Sequence, residues 1–287
     1  MKAARFAYHR PDSLDEALAL RAEHADDCAV LAGGQSLVPL LNLRLALPSA
    51  VIDLGGVPEL SGIRVDRPGV TAGSMTRQRH LELSPVVAER FPLVRQALAY
   101  VGHPAIRNRG TVGGSLAHAD PAAELPAVAL ALDAQLVAQS TRGRRTIPAE
   151  EFFRGYLSTA IEPDELLVEI SLPPVSEGAG CGFAETARRH GDFALAGAAA
   201  LIQLDDGGAI ADVRIAFFGA HAKPVRARAV EGGLIGGRPD EATFREAAEA
   251  AASELEPTSD GHASAAYRRR VAAVMARRAL VEAGARA

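Results

Sequence analysis

The sequence predicts an α+β fold made of two domains, and three observations lead to this prediction. A chain of 287 residues is long enough for two domains of ordinary size, since a domain typically spans roughly 100–200 residues. Helical and strand patterns alternate near the start, whereas hairpin patterns are more frequent later. A segment rich in Pro and Gly at 173–178 has the composition of a linker. We therefore predict a first domain at 1–175, with subdomains at about 1–56 and 57–175, and a second domain at 179–287.

The N-terminal elements predict a small α/β unit. Ser13-Leu14-Asp15-Glu16 has the form of a capping box, in which a serine and a glutamate three residues later satisfy the first N–H groups of a helix. Cys28–Leu31 is a compact apolar strand candidate. In chain order we predict a helix at 14–22, a strand at 28–31, a glycine turn at 32–36, a helix at 37–46 and a strand at 50–54.

Hairpins and helices follow along the rest of the chain, without an internal repeat. Up to the linker we predict a hairpin at 63–65 and 70–72 around the turn Asp66–Gly69, helices at 77–83 and 93–101, a glycine-rich loop at 109–115, a helix from about 121, and strands at 135–138 and 166–172. Beyond the linker we predict a hairpin at 200–204 and 213–218 and helices at 224–230, 241–255 and 264–282.

Composition and charge exclude several classes of protein. The net charge of −4 argues against a nucleic-acid binder, which carries a basic excess. The two cysteines, Cys28 and Cys181, form no C-x-x-C pair, and an iron–sulfur cluster normally takes about four thiolates. No apolar run reaches the roughly 18 residues of a membrane span, and the first residues contain no apolar signal core. We expect a soluble, cytoplasmic protein with no nucleic-acid partner and no membrane span.

The first candidate site is the turn Ala32-Gly33-Gly34-Gln35-Ser36, between a predicted strand and a predicted helix. Glycines let a ligand approach the backbone closely, and Ser36 occupies the N-cap position of the following helix. The N–H groups at such a helix start attract phosphate. A lone Gly-Gly pair is more often a simple tight turn. Neither the G-x-G-x-x-G nor the G-x-x-x-x-G-K-[ST] signature occurs in the chain.

A second glycine stretch, Arg109 to Glu124, has the same arrangement. The paired glycines Gly113 and Gly114 and a small hydroxyl residue, Ser115, again precede a helical pattern. Two such turns suit a ligand with two phosphates and a long body better than a mononucleotide. Asp120 and Glu124 are candidate acceptors for ribose hydroxyls, although single acids are also common at helix starts without any ligand.

Four stretches resemble the flavin-binding subunits of the xanthine dehydrogenase family. Residues Leu31–Leu40 (LAGGQSLVPL) and Thr111–Glu124 (TVGGSLAHADPAAE) resemble the two FAD-binding signatures of that family. Residues Glu185–Ala194 (ETARRHGDFA) and Tyr267–Arg270 (YRRR) resemble further family motifs. The similarity extends in order over essentially the whole chain. The chain resembles most specifically the medium subunit of carbon monoxide dehydrogenase-type molybdenum hydroxylases.

This resemblance implies a fold and an FAD site. The implied fold is the two-part FAD-binding domain of the vanillyl-alcohol oxidase-like type, followed by a C-terminal domain with a three-stranded antiparallel sheet and helices. The first glycine turn would hold the pyrophosphate, the second stretch would form the other wall, and Phe193 would lie near the isoalloxazine ring. No histidine is placed for covalent attachment, so we expect FAD to bind non-covalently. The residues expected to bind the cofactor are Leu31, Ala32, Gly33, Gly34, Gln35, Ser36, Leu37, Val101, Gly102, Gly110, Thr111, Gly113, Gly114, Ser115, His118, Glu124, Leu166, Leu167 and Phe193.

The resemblance also implies a role in electron transfer within an oxidoreductase complex. In the family, a molybdenum cofactor on a large subunit oxidises the substrate, and electrons pass through two [2Fe–2S] clusters on a small subunit to FAD. The expected partners are therefore a molybdopterin-binding large subunit and a [2Fe–2S] small subunit, in a dimer of heterotrimers. We expect neither a catalytic residue nor a metal site on this chain. Animal xanthine dehydrogenases have a lysine near the flavin where this chain has Ala184, which leaves the external electron acceptor open.

Two other functions stay open from the residues alone. A free-standing FAD-dependent oxidase or dehydrogenase would need its own acid–base constellation, which the sequence does not display. A flavin-free structural subunit would not require the glycines of both turns. His103 is a further candidate near the flavin, although a histidine before proline is more often a polar turn residue. The clusters Arg107–Arg109 and Arg268–Arg270 are candidates for docking surfaces or phosphate contacts, the alternative being solvated helix faces.

Overall fold

The first subdomain is a three-stranded parallel sheet with helices, in a computed structural model that describes residues 2–25, 27–66 and 69–287. The central strand, β3, pairs in parallel with β1 on one side and β2 on the other. The elements are β1 (Ala7–His9), α1 (Leu14–Glu23), β2 (Cys28–Leu31), α2 (Leu37–Asn42) and β3 (Ala50–Asp53). The predicted α/β unit is confirmed, and it has one more strand, β1, than the sequence predicts.

Helix α1 begins where the capping pattern predicts, whereas α2 ends earlier than predicted. The Ser13 hydroxyl accepts a hydrogen bond from the Glu16 N–H at 3.3 Å, and the Glu16 carboxylate accepts one from the Asp12 N–H at 3.0 Å. Arg44 adopts a left-handed φ of 58°, which ends the right-handed helical path. The Leu45 N–H then returns to the Leu40 carbonyl at 2.9 Å. The predicted extension of α2 to residue 46 is therefore wrong.

The second subdomain is built on a five-stranded antiparallel sheet with the strand order β4-β5-β10-β6-β7. Its elements are β4 (Ile63–Val65), β5 (Val70–Gly73), α3 (Gln78–Leu83), α4 (Pro85–Arg90), α5 (Pro92–Leu98), α6 (Pro104–Arg109), α7 (Val112–His118), α8 (Glu124–Ala131), β6 (Gln135–Ser140), β7 (Gly143–Pro148), α9 (Ala149–Phe152), β8 (Phe153–Gly155), β9 (Ser158–Thr159) and β10 (Leu166–Leu172). Part of the predicted hairpin turn, residues 67–68, lies outside the described residues. The stretch predicted as a loop at 109–115 runs instead into helix α7.

The C-terminal domain is an antiparallel sheet covered on one face by helices. Its strands lie in chain order, and the fourth is only a two-residue edge strand, so the expected three-stranded sheet is present. The elements are β11 (Gly180–Ala187), β12 (Ala194–Leu204), β13 (Ile210–Phe218), β14 (Val225–Arg226), α10 (Arg228–Leu234), α11 (Glu241–Ser253) and α12 (Ala265–Gly284). The helix predicted at 224–230 begins only at Arg228, because residues 225–226 pair with β13.

The two faces of the C-terminal sheet belong to two different hydrophobic cores. Phe217 packs with the helices of its own domain, in a cluster that includes Phe244 and Met275. Its neighbour Phe218 lies in the cluster of the FAD-binding domain, together with residues such as Leu98. One core is therefore continuous across the contact between the domains. Among the described residues, no helix is long and apolar enough to cross a membrane.

Candidate functional site

The first glycine turn connects β2 to α2 and presents its backbone outward. Residues 31–37 are all half-buried. Gly34 has a φ of +74°, a left-handed conformation that glycine adopts without steric cost. The Gln35 side chain folds back and donates to the Gly33 carbonyl at 2.9 Å. This bond keeps the amide over the turn and gives the loop a defined shape.

The backbone N–H groups of this turn are available to a ligand. Within the part of the chain that the structure describes, those of residues 34–37 donate to no acceptor of the protein. The Ser36 hydroxyl does not accept a bond from helix α2, so the expected N-cap interaction is wrong. A run of N–H groups in a turn that includes a left-handed residue forms a concave binding site for anions. Helix α2 has only six residues, so these local N–H groups contribute more than the helix dipole.

The second glycine stretch packs directly against the first. A Cβ on Gly33 would collide with the carbonyl oxygen of Arg109 and would lie 2.8 Å from the Gly110 Cα. A Cβ on Gly114 would lie 2.7 Å from the Thr111 hydroxyl and 3.3 Å from the Ala32 Cβ. A side chain at Gly33 would push the two backbones apart, whereas one at Gly114 would displace the Thr111 hydroxyl and crowd the Ala32 side chain.

The second stretch nevertheless differs from the first in its hydrogen bonding. The Val112 N–H donates to the Thr76 carbonyl at 3.0 Å, and the Gly113 N–H donates to the Ser74 carbonyl at 2.8 Å. The Gly114 N–H donates to the Thr111 hydroxyl at 3.0 Å, which caps helix α7. These three donors are already satisfied. The second stretch is thus a packed wall, and residues 112–114 do not offer the free N–H groups that the first turn offers.

The second stretch is held in place by Arg77 and Gln78, for which the sequence predicts a helix but no role at the site. Gln78 donates its N–H to the Gly110 carbonyl at 2.9 Å, and the Arg77 guanidinium donates to the Arg109 carbonyl. Arg77 and Thr111 also form an isolated antiparallel bridge. The only local signal for this role was the polar run that follows β5, and such a run is equally typical of a surface loop.

Helix α7 ends in a tight turn that leads to the acidic residues. Ala119 adopts a left-handed φ of 50° and is buried, which places a strained residue beside the site. The Asp120 carboxylate accepts a bond from the Ala122 N–H at 2.9 Å. Ser115 and His118 are half-buried on the same helix. Both residues are therefore partly accessible to solvent.

Glu124 is the first residue of α8, and its side chain is almost completely buried, with 5% of the residue exposed. Burial raises the pKa of Glu124 to about 7, its own backbone N–H and Arg107 oppose this rise, and the negative charge of Asp120 adds to it. Burial also raises the pKa of Glu185 to about 8, with a further contribution from the charge of Glu124. The sequence pattern indicates Glu124 as a candidate but contains no signal for Glu185.

The contact between the two domains brings Gly102 and His103 close to Gly191. A Cβ on Gly191, whose φ is +87°, would lie 2.8 Å from the His103 ring. His103 also lies near His190, with ring centroids 6.3 Å apart. Phe193 follows this loop and is 60% exposed, which is unusual for a phenylalanine. The loop thus carries an uncovered aromatic ring at the edge of the domain contact.

Several residues singled out in the sequence are buried in the structure. Leu166 and Leu167 belong to two different hydrophobic clusters, and Ala32 packs against the cluster that contains Leu166. Arg107 is buried and pairs with Glu82 through contacts of 2.8 and 3.2 Å. It is therefore not part of a docking surface.

One residue of the proposed docking cluster at the start of α12 is internal, since Arg268 is buried whereas Arg269 and Arg270 are exposed. Arg268 is buried and donates to the carbonyls of Leu195 and Gly219 at 2.7 and 2.9 Å. It also pairs with Asp260 at 2.6 Å. Arg269 donates to the Leu255 carbonyl at 2.9 Å. The interpretation of Arg268 as a docking residue is wrong, because its guanidinium bonds to the backbone of its own domain.

Comparison with known proteins covers the whole of this architecture. The family described as the FAD binding domain in molybdopterin dehydrogenase matches residues 4–175, and the CO dehydrogenase flavoprotein C-terminal domain matches residues 182–283. The chain is 43% identical over 283 residues to the 6-hydroxypseudooxynicotine dehydrogenase complex subunit alpha of Paenarthrobacter nicotinovorans. This alignment covers 99% of this chain and 96% of that protein. It is 38% identical over 282 residues to the carbon monoxide dehydrogenase medium chain of Hydrogenophaga pseudoflava, in an alignment that covers 98% of each chain.

A solved structure has the same fold from end to end. It is carbon monoxide dehydrogenase from Hydrogenophaga pseudoflava lacking the Mo-pyranopterin moiety of the molybdenum cofactor, with a TM-score of 0.96 and 40% sequence identity. The match covers 100% of this chain and 99% of that chain. The fold and the matched domains define an FAD-binding subunit of an oxidoreductase. The chain belongs to the family of molybdenum hydroxylase FAD subunits that includes the carbon monoxide dehydrogenase medium chains.

The residues present fit a cofactor with a pyrophosphate. The free N–H groups at residues 34–37 supply donors without an added positive side chain. The close approach of Gly33 to Gly110 leaves no room for a Cβ between the two turns. Backbone donors beside glycines are the arrangement that phosphate oxygens require.

Proposed function

We propose that this chain relays electrons within a heteromeric molybdenum hydroxylase, from a [2Fe–2S] partner subunit through FAD to an external acceptor. The proposal rests on the run of free N–H groups at residues 34–37, against which the second glycine stretch packs. It rests also on the match of residues 4–175 to the FAD-binding domain family. When bound, FAD supplies the redox chemistry of its ring. The chain's own residues bind it, orient it and limit the access of solvent.

We propose specific roles for the residues of the two turns. The N–H groups at residues 34–37 would donate to the pyrophosphate, and Gln35 would hold the turn in the required shape through its bond to Gly33. The second stretch would act as the opposite wall, with Ser115 and His118 available for polar contacts. The remaining proposed contacts are Leu31, Ala32, Val101, Gly102, Glu124, Leu166, Leu167 and Phe193.

The side chains of Leu166 and Leu167 are buried, so any contact that they make would involve the backbone or the edge of the core. Phe193 is the opposite case, because its ring is largely exposed and is free to pack on a ligand. We propose that it covers part of the flavin ring system and excludes water there.

The proposed complex contains two partners of different chemistry. A large subunit would hold the molybdopterin cofactor and oxidise the substrate, and a small subunit would hold two [2Fe–2S] clusters. The described residues include no group of three or more His, Cys, Asp or Glu side chains placed to hold a metal ion. We further propose a dimer of heterotrimers in the cytoplasm, with domain boundaries at residues 175 and 179.

The first test uses the purified chain alone. We expect two visible flavin absorption bands, release of FAD by acid in about equal amount to protein, and no iron–sulfur shoulder. A colourless chain that also fails to take up added FAD would favour the flavin-free structural subunit. A chain that oxidises an organic substrate without partners would favour the free-standing enzyme.

The second test addresses the relay in the assembled complex. Substrate is mixed anaerobically with the holo-complex and with a complex whose FAD has been removed. We expect the iron–sulfur absorption to bleach in both complexes, whereas electrons reach an external acceptor efficiently only when FAD is present. Equal acceptor reduction by the two complexes would contradict the proposed path.

A further inference from the structure

The loop that follows α2 exposes a group of apolar side chains beside the first glycine turn. Leu45 is 73% exposed, the highest fraction among the large apolar side chains of the described residues, and Leu43 and Leu47 are 53% and 64% exposed. Val38, on α2 itself, is 41% exposed. We call these four residues the leucine patch. Proteins commonly expose large apolar side chains singly, whereas a group of them marks a surface that binds another molecule.

The backbone of the loop holds the leucine patch in a fixed shape. The N–H groups of Leu45 and Ala46 both donate to the Leu40 carbonyl, at 2.9 and 3.3 Å. Arg44 adopts a left-handed φ of 58°, which is unfavourable for a residue with a Cβ. Its guanidinium donates to the Lys2 carbonyl at 3.2 Å, so the N-terminal segment supports the turn. Because a strained backbone persists only where its surroundings enforce it, the leucines are presented in a defined geometry.

The charges around the leucine patch are all positive. Segments 2–10 and 31–52 contain four lysines and arginines, all of them exposed, and no aspartate or glutamate. Only one of the four, Arg10, forms a salt bridge among the described residues, to Asp53 at 3.9 Å. The whole chain has a net charge of −4, so this face has the opposite sign. A complementary surface is therefore apolar at its centre and acidic at its rim.

Two other occupants fit the leucine patch less well. A second copy of the chain in a two-fold contact would bring the same patch against itself, and the two basic rims would repel one another. A membrane surface is typically bound by an amphipathic helix with an apolar face and a basic face. The patch lies instead mostly on a loop, and α2 has only six residues. The charge and the shape of this face thus favour a protein partner of a different kind.

We propose that the leucine patch is the surface on which this chain docks to another subunit, one that presents an apolar centre with an acidic rim. This role rests on the proposed function, because it requires a heteromeric complex. The patch directly follows the free N–H groups at residues 34–37 along the chain. Docking at the patch therefore brings the partner against the turn that is proposed to hold the pyrophosphate.

The test compares assembly of the complex by the wild-type chain, by Leu45→Glu and by the control Ile235→Glu, which changes an exposed apolar residue of the C-terminal domain. Each chain is produced together with its partner subunits, and the complex is isolated through a tag on the large subunit. We expect recovery of Leu45→Glu in the complex to fall to about a tenth of the wild-type amount or less, because the variant places an unpaired negative charge in the contact. Recovery of Ile235→Glu should match the wild type, and unassembled Leu45→Glu should keep its FAD.

A second variant tests the basic rim and does not depend on the folding of Leu45→Glu. Arg44→Asn removes one positive charge, and asparagine tolerates the left-handed conformation of this position. We expect it to associate with the other subunits several-fold more weakly than the wild type at low salt, and to depend less on salt. Titration of the separated chain with the other subunits at two salt concentrations measures both effects.

Full recovery of Leu45→Glu in the complex, or an unchanged salt dependence in Arg44→Asn, would overturn the proposed docking surface. A dimer of the isolated wild-type chain that Leu45→Glu dissociates would assign the patch to a second copy instead. Binding of the assembled complex to vesicles of phosphatidylserine and phosphatidylcholine, lost in Leu45→Glu, would assign it to a membrane surface. FAD content and electron relay are measured on the wild-type complex, so a failure of the docking surface is distinguishable from a failure of the relay.

Discussion

At the residue scale, the two glycines of the first turn have different physical roles. Gly34 is needed for its left-handed φ of +74°, because a Cβ there would be strained and would lie 3.1 Å from the Val38 side chain. Gly33 is needed for close approach, since the backbone of Arg109 and Gly110 occupies the space that a Cβ would take. The sequence pattern predicts a glycine turn but cannot separate these two roles, because the second depends on a segment far along the chain.

The first of these roles leads to a prediction about cofactor affinity. Gly34→Ala should lower the affinity for FAD by on the order of tenfold or more, because hydrogen bonds to a charged group contribute roughly 1.5–3 kcal/mol each. It should also lower stability by roughly 1–2 kcal/mol through the left-handed conformation. The affinity is measured by fluorescence titration of the cofactor-free chain, and the stability by urea unfolding.

A matched control separates strain from binding. Gly236 has a φ of +78°, and a Cβ on it would contact nothing within 4 Å. Gly236→Ala should therefore reproduce the loss of stability and leave the affinity for FAD unchanged. If both variants bind FAD as the wild type does, the N–H groups at residues 34–37 do not hold the pyrophosphate.

At the scale of elements, prediction succeeded where local signals decide the structure. Strand β2 and strand β10 have the predicted bounds, because β2 is a continuous apolar run and β10 is an apolar run interrupted only by Glu169 and Ser171. Strand β11 was missed, since its glycines at 180 and 182 lower strand propensity. Those glycines are explained only by the tertiary structure, where helix α12 packs against their backbone.

The caps of two helices give a second prediction. The Ser13 hydroxyl caps α1, whereas the Ser36 hydroxyl at the start of α2 makes no cap bond. Ser13→Ala should cost about 1 kcal/mol of stability with no change in FAD affinity. Ser36→Ala should change stability by less than about 0.5 kcal/mol and should weaken FAD binding, because the free hydroxyl is available to the ligand.

Thermal unfolding of both variants and FAD titration of both variants check this contrast. A loss of stability in Ser36→Ala equal to that in Ser13→Ala would mean that the Ser36 hydroxyl caps the helix after all. Unchanged FAD affinity in Ser36→Ala would remove the hydroxyl from the cofactor site and leave only the backbone of that residue in it.

At the scale of the whole molecule, the contact between the domains is part of a hydrophobic core. Phe218 is fully buried in the cluster shared with the FAD-binding domain, and Gly197 on β12 leaves the space that its ring fills. Phe217, also buried, belongs to the cluster of the C-terminal domain alone. The composition predicts two domains, but it contains no signal that one core would span them. That depends on which face of the C-terminal sheet packs against the FAD-binding domain.

These two neighbouring phenylalanines test how far the domains depend on one another. Phe217→Ala and Phe218→Ala should each lower the free energy of unfolding by about 3–5 kcal/mol, because each removes a buried ring of the same volume. Only Phe218→Ala should loosen the contact between the domains, and it should therefore also weaken FAD binding and increase cleavage by protease in the exposed linker at 176–178. Calorimetry, limited proteolysis and FAD titration of the two variants measure these effects. If both variants lose FAD and are cleaved equally, the chain unfolds as one unit, and the division of the core between Phe217 and Phe218 has no consequence for the site.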